Sequence, residues 1–88
     1  MKTRVEYTEK ALKDMEKLDR TVARNIIKKI QFYTEQPNPL SHARKLKPPF
    51  DDLYRYRIND YRAIFEYTTN KSLLLLTILK VEHRKDIY

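Results

Sequence analysis

The 88-residue sequence contains no cysteine and no glycine. Without cysteine there is no disulfide framework, no thiolate nucleophile and no cysteine-ligated zinc site. Without glycine the sequence cannot contain a P-loop, a dinucleotide-binding fingerprint or another glycine-rich phosphate cradle. Any bound anion must therefore be held by side chains, and we expect neither a metal nor a cofactor.

Long apolar runs are also missing. The longest, Leu73 to Leu76, is far too short to cross a bilayer. The first residues, MKTRVE, carry charges where a secretory signal would be apolar. We therefore expect a cytoplasmic protein without membrane contact. Its length predicts a single domain, residues 1–88, with so small a core that a partner would help to stabilise it.

Positive charge is the main compositional feature that is present. Nineteen lysines and arginines oppose twelve acidic residues, which gives a net charge of +7. Such an excess favours a polyanionic partner through counterion release and long-range steering. Charge alone does not distinguish RNA from DNA, or either of them from an acidic protein.

Arginine alternates with aromatic residues in the segment LYRYRINDYR, residues 53–62. The alternation pauses at Asn59-Asp60, which tolerate positive φ, and this pattern predicts a β-hairpin with a two-residue loop. Arg55, Arg57 and Arg62 then share one face of the sheet, where adjacent like charges are destabilising. They are either solvated arginines or a platform for a phosphate. The opposite face is predicted to be core, and it contains Tyr54, Tyr56, Ile58, Tyr61, Ala63 and Phe65.

Two amphipathic helices are predicted before the hairpin, with Thr8 and Asp19 as their N-caps. Because the joint between them is short, they should pack as an antiparallel pair on the sheet. A basic strip on the second helix is either solvated or contacts nucleic-acid phosphates, and consists of Arg20, Arg24 and Lys28. Phe32 falls outside the apolar stripe, and it either covers the following loop or meets a protein partner.

The remaining segments complete an α+β domain of order βααβββ. Residues 2–7 form a possible first strand, residues 36–50 form a proline-rich connector, and residues 72–81 read as a strand buried on both faces. The expected architecture is a helical hairpin packed on a mainly antiparallel four-stranded sheet.

The chain ends in His83-Arg84-Lys85-Asp86-Ile87-Tyr88. Together with the 53–62 segment, Ile64-Phe65-Glu66, Lys45-Leu46-Lys47 and the ALKD of the first helix, this ending resembles the RelE-type toxins of the RelE/ParE toxin–antitoxin superfamily. The resemblance implies a RelE-like fold and a metal-independent endoribonuclease that enters the ribosomal A site, cleaves mRNA and arrests growth. It also implies ribosomal RNA contacts, a RelB-like antitoxin, and operator DNA bound only through the antitoxin complex.

The same resemblance suggests roles for individual residues. Arg62 and Arg84 match phosphate-stabilising arginines. Tyr88 matches a C-terminal tyrosine that could orient or deprotonate the 2′-hydroxyl or stack on a base. Familiar members carry lysines at the positions of Arg55 and Arg57, and arginine cannot act as a base. His83 is therefore the hypothesised proton carrier. The predicted catalytic group is Arg57, Arg62, His83, Arg84 and Tyr88, and the predicted RNA-binding residues are Lys45, Lys47, Arg55, Arg20, Arg24 and Lys28.

Two other functions fit the same resemblance. One is a ParE-type inhibitor of DNA gyrase, since a shared fold does not imply a shared function. The other is a catalytically inactive member of the superfamily that acts as a nucleic-acid-binding or regulatory subunit. The nuclease hypothesis depends on one geometric expectation, that the arginines and the terminal residues converge on one concave patch.

Overall fold

The structure is a computed structural model that describes residues 2–87, with side chains described for residues 2–85. Its elements follow the order of the chain. They are β1 (Lys2–Tyr7), α1 (Glu9–Glu16), α2 (Arg20–Thr34), a 3₁₀ turn (Pro39–His42), β2 (Ala43–Lys45), β3 (Tyr54–Ile58), β4 (Tyr61–Asn70), β5 (Leu73–His83) and a second 3₁₀ turn (Arg84–Ile87). Within the described residues, no helix is long and apolar enough to cross a membrane.

The five strands form one mixed sheet in the order β1-β5-β4-β3-β2. β1 runs parallel to β5, and the other pairs are antiparallel. Both helices pack against one face, where apolar side chains from helices and strands share one core. The α+β class and the helical hairpin are therefore as predicted, but the sheet has five strands rather than four. The extra strand, β2, lies in the proline-rich connector and is too short to show a period.

The arginine-rich hairpin has the register predicted from its alternation. Arg57 lies opposite Arg62, Tyr56 opposite Ala63 and Tyr54 opposite Phe65. Asn59 supplies the positive φ of the turn, at 54°. The core face of the hairpin is mostly buried, with Tyr54 and Tyr61 only partly so. The hydroxyl of buried Tyr56 donates a 2.8 Å hydrogen bond to the Pro39 carbonyl. The opposite face of the hairpin, which we call the outer face, carries the arginines.

The prediction that β5 is buried on both faces is wrong. Burial alternates along the strand, with Leu74, Leu76 and Ile78 buried and Leu73 and Leu75 half-buried. Because the described helices cover only one face of the sheet, the other set of side chains keeps contact with solvent. A continuous run of leucines in the sequence does not show that the two faces of β5 are buried to different extents.

A β-bulge between β4 and β5 is stabilised from α1. Ile64 pairs with Lys80 and Phe65 with Ile78, so Leu79 is the extra residue. The Thr8 hydroxyl donates to the Leu79 carbonyl at 2.8 Å, and the Asp14 carboxylate accepts from the Val81 N–H at 3.0 Å. The N-cap and one residue of the first helix thus satisfy backbone groups beside the bulge.

We expect Asp14→Ala to lower the free energy of unfolding by about 1–3 kcal/mol, because it leaves the Val81 N–H without its partner. Burial would raise the pKa of Asp14, but hydrogen bonds from Lys10 and Val81 hold that pKa below its ordinary value of 3.8. The stabilisation is therefore present above about pH 3.8 and is lost as the pH falls through the folded-state pKa.

Denaturant unfolding at neutral and acidic pH tests this prediction. Asp14→Asn keeps an oxygen acceptor and should lose less stability at neutral pH than Asp14→Ala. The difference between the wild type and Asp14→Ala should shrink in acid, and a pH-independent difference would contradict the assigned role.

Candidate nucleic-acid interface

A basic groove lies along the sheet where β2, β3 and β4 adjoin the connector. Its volume is about 610 Å³, and its lining contains five cationic residues and no acidic residue. Arg44 lies opposite Arg55 across β2 and β3, so both project from the outer face with the hairpin arginines. We call this the basic groove. It is lined by Arg44, Lys45, Leu46, Lys47, Pro48, Phe50, Arg55 and Arg62.

Arg62 is the most constrained arginine of this groove. Its Nε donates a 2.8 Å hydrogen bond to Glu82 Oε1, and the two side chains are only about one-fifth exposed. Lys80 Nζ lies 3.6 Å from the other Glu82 oxygen. Because the bond to Glu82 uses Nε, the terminal amino groups of the guanidinium can meet a ligand while the carboxylate fixes the side chain.

Glu82 is a functional candidate that the sequence interpretation missed. It lies directly opposite Arg62 in the β4–β5 pairing, and its charge offsets part of the Arg57–Arg62 repulsion. The signal that would identify it is the pairing register of β5. That register depends on the bulge, so strand alternation in the sequence alone does not reveal it.

Several predicted site residues do come together. Arg57 and Arg62 share the outer face, and Lys47 and Arg55 line the basic groove with Arg62. Lys45 also belongs to the lining, but it pairs with Tyr54, so its side chain lies on the helix-covered side of the sheet. Arg57 is absent from the lining. The predicted RNA-binding residues of α2 form a separate set on another surface. Arg20, Arg24 and Lys28 are exposed along that helix and are absent from the lining of the basic groove.

The C-terminal segment begins beside the hairpin turn. The Arg84 N–H donates a 2.7 Å hydrogen bond to the Asp60 carbonyl, and the Arg84 side chain is exposed. This bond brings the start of the tail to the end of the hairpin that carries Arg57 and Arg62. Tyr88 lies outside the described residues.

His83 lies apart from Arg57 and Arg62, and it lines a groove of about 340 Å³ with Asp60, Arg84 and Lys85. It lies opposite Tyr61 on the helix-covered face, and the two rings meet edge to face with centroids 4.8 Å apart. Because Glu82 faces Arg62 and neighbouring strand residues alternate, His83 must point to the other side. Its Nδ1 accepts the Lys85 N–H at 3.0 Å. This bond caps the terminal turn and assigns the proton of the neutral ring to Nε2.

Within residues 2–85, no cluster of three histidine, aspartate or glutamate side chains could hold a metal ion. The basic groove can bind and stabilise negative charge through electrostatic interactions. Arginines from β2, β3 and β4 line one concave surface together with Lys47 of the connector. Such an arrangement suits the phosphates of a nucleic acid strand, which guanidinium groups can bind through two parallel hydrogen bonds.

Comparisons with known proteins identify the family. A family model described as "ParE toxin of type II toxin-antitoxin system, parDE" matches residues 5–88. No curated protein matches the chain significantly. Among solved structures, the archaeal RelE–RelB complex from Pyrococcus horikoshii has 30% identity and a TM-score of 0.68, and the match covers 96% of this chain and 97% of that chain.

Two further solved structures share the fold. The RelBE toxin–antitoxin complex from Mycobacterium tuberculosis has a TM-score of 0.73 at 22% identity, with 91% of this chain and 95% of that chain covered. The YoeB/ParE toxin from Agrobacterium tumefaciens has a TM-score of 0.69 at 16% identity, with 91% and 97% covered. Since the family model spans nearly the whole chain, this protein belongs to the ParE toxin family of type II toxin–antitoxin systems, within the RelE/ParE superfamily.

Proposed function

We propose that this toxin is an endoribonuclease that cleaves mRNA in the ribosomal A site and thereby inhibits translation. The observation that carries the proposal is the basic groove, in which Arg62 is fixed by Glu82 beside further cations. A surface that only docks on a protein would gain little from a partly buried arginine whose terminal amino groups can meet a ligand. A phosphate in cleavage chemistry gains directly from such a group.

The proposed reaction is attack of a ribose 2′-hydroxyl on the adjacent phosphorus. The bond to the 5′-oxygen breaks, which leaves a 2′,3′-cyclic phosphate and a 5′-hydroxyl. The proton of the 2′-hydroxyl must pass to a base, and the departing 5′-oxygen must receive a proton. We propose that Arg57, Arg62 and Arg84 stabilise the charge that builds up on the phosphate.

Lys45, Lys47 and Arg55 would hold the flanking RNA along the basic groove. The proposed role of Tyr88, orienting or deprotonating the 2′-hydroxyl, comes from the family resemblance alone. Arg20, Arg24 and Lys28 lie apart from the basic groove and would contact other phosphates, such as those of ribosomal RNA.

The ribosome would supply most of the substrate alignment. Arginine is a poor proton acceptor, and His83 lies on the other face of the sheet, so the groove is built to bind a phosphate more than to transfer protons. Holding the reacting groups in line accounts for a large share of catalysis in general. We therefore propose that activity depends on ribosomes programmed with mRNA.

The proposed partner is a RelB-like antitoxin. The neighbours from Pyrococcus horikoshii and Mycobacterium tuberculosis are toxin–antitoxin complexes. An acidic antitoxin would complement the net charge of +7 and would block access to the basic groove. Operator DNA would be bound only by the complex of the two proteins.

One observation favours a second function. The matching family model is described as the ParE toxin of the parDE system, which supports inhibition of DNA gyrase without RNA cleavage. Sequencing the 5′ ends of cellular mRNA after brief induction separates the two functions. The nuclease produces cuts in phase with codons, whereas the gyrase inhibitor or an inactive member produces none. Plasmid supercoiling changes early only for the gyrase inhibitor.

A substitution of His83 tests its part in the reaction. We expect His83→Gln to cleave programmed mRNA within about tenfold of the wild-type rate, because it removes a capping hydrogen bond worth about 0.5–1.5 kcal/mol. A positioned proton carrier contributes about 10²- to 10⁴-fold. A loss of that size in single-turnover cleavage, with the fold intact, would show that His83 transfers a proton.

A further inference from the structure

An exposed aromatic side chain on α2 has no part in the function described so far. Phe32 is 51% exposed, although its neighbours Ile30 and Tyr33 pack into or against the core. It therefore does not serve to cover the following loop. A single exposed apolar side chain is common on protein surfaces, so the surroundings of Phe32 decide whether it can bind a ligand.

Phe32 belongs to a stripe that faces the hairpin turn. Asn25, Lys28, Lys29 and Phe32 follow the spacing i, i+3, i+4 and i+7, so they lie on one side of the helix. Together with the turn residues 57–59 they line a groove of about 550 Å³, to which Tyr33 also contributes. We call this the α2 groove. Its lining includes lysines and amides but no carboxylate.

The aromatic side of the α2 groove is held in place. Lys29 Nζ lies 5.2 Å from the Phe32 ring centroid and 5.3 Å from that of Tyr33. The Tyr33 ring stacks on His42 with centroids 4.7 Å apart, and its hydroxyl donates a long 3.5 Å bond to the Arg57 carbonyl. The cation engages one part of the Phe32 surface, and about half of the residue stays exposed.

We propose that the α2 groove binds single-stranded RNA, with one unpaired base stacked on Phe32. Lys28 and Lys29 would meet the adjacent phosphates, and the amides of Asn25 and Asn59 can hydrogen-bond to base edges. Every base offers a π-face, so such a site tolerates any sequence. The inference rests on the proposed function for its choice of RNA as the polyanion.

Charge and shape favour RNA over a protein occupant. A partner helix in a groove is held by several apolar anchors, whereas the α2 groove exposes Phe32 among cations and amides. The turn that closes the groove also carries Arg57, which lies opposite Arg62 of the basic groove. One strand could thus extend from the basic groove, around the hairpin turn, to Phe32.

Binding is measured with a short 2′-O-methyl RNA that contains 2-aminopurine, whose fluorescence falls when the base is stacked. This probe cannot be cleaved, so the measurement is independent of catalysis. We expect Phe32→Ala to weaken binding about 5- to 150-fold, the range for loss of one stacked base, and to abolish the quenching. Phe32→Tyr keeps the ring and should bind like the wild type.

Leu12→Ala is the matched control, because Leu12 is also 51% exposed but lies on α1, outside the groove. Lys29→Ala should reduce the slope of log affinity against log salt by about 0.7. The inference is overturned if Phe32→Ala binds and quenches as the wild type does. It is also overturned if that variant loses only antitoxin affinity, which would make the groove a protein-docking surface.

An Arg62→Ala variant separates this inference from the proposed nuclease. If this variant cannot cleave mRNA but still quenches the probe through Phe32, the α2 groove binds RNA independently of the basic groove. If the wild type cleaves ribosome-bound mRNA but Phe32→Ala does not change binding or quenching of the probe, the proposed nuclease activity is supported and the RNA site in the α2 groove is contradicted.

Discussion

Arg62→Ala is expected to reduce cleavage of ribosome-bound mRNA by about 10²- to 10³-fold, the usual cost of removing one preorganised donor from a reacting oxyanion. The reason is the geometry of its side chain. Glu82 holds the guanidinium through Nε, and the arginine lines the basic groove on the face that Arg57 shares. Single-turnover cleavage on programmed ribosomes measures the effect, and binding to the ribosome should change much less.

Two further substitutions test why the cleavage rate falls in Arg62→Ala. Glu82→Gln removes the charge that fixes Arg62, and it should lower the rate by a smaller factor, on the order of tenfold. Arg4→Ala removes an equally positive side chain from β1, at the opposite edge of the sheet, and should leave the rate unchanged. If Arg62→Ala and Arg4→Ala lowered the cleavage rate equally, the loss would come from the reduced net charge and not from the position of Arg62 in the basic groove.

Phe65→Ala is expected to lower the free energy of unfolding by about 3–5 kcal/mol, the usual cost of removing a buried phenylalanine. Phe65 is fully buried, and its ring stacks on Tyr56 with centroids 4.6 Å apart and on Tyr54 at 5.9 Å. Small domains are stable by only about 5–15 kcal/mol, so this loss is a large fraction of the total stability.

Chemical denaturation followed by circular dichroism measures this loss. Phe50→Ala is the control, because Phe50 is 58% exposed and its substitution should change stability by no more than about 0.5 kcal/mol. A destabilisation of Phe65→Ala below that of Phe50→Ala would contradict the assignment of the hairpin's inner face to the core.

The hairpin could be predicted from the sequence because its information is local. Alternation fixes which side chains share a face, and Asn59-Asp60 fixes the turn, so the pairs Arg57–Arg62 and Tyr56–Ala63 follow without knowledge of the remaining fold. The caps Thr8 and Asp19 are local as well, and each accepts a backbone N–H of its helix. Short-range chemistry decides all of these features.

Features that depend on distant pairing could not be predicted in this way. β2 is three residues long and exists only because Arg44 and its neighbours pair with β3. The partner of Arg62 lies twenty residues further along the chain, and the intervening bulge changes which β5 residues share its face. Once that register is known, Glu82 must face Arg62 and His83 must face away.

The most direct measurement is cleavage of one mRNA by the purified toxin with and without programmed ribosomes. We predict cuts within the A-site codon when ribosomes are present, little cleavage of free mRNA at physiological salt, and loss of both the cuts and the growth arrest in Arg62→Ala. Growth arrest that persists in Arg62→Ala, with intact mRNA on the ribosome and altered plasmid supercoiling, would contradict the nuclease and support the gyrase inhibitor.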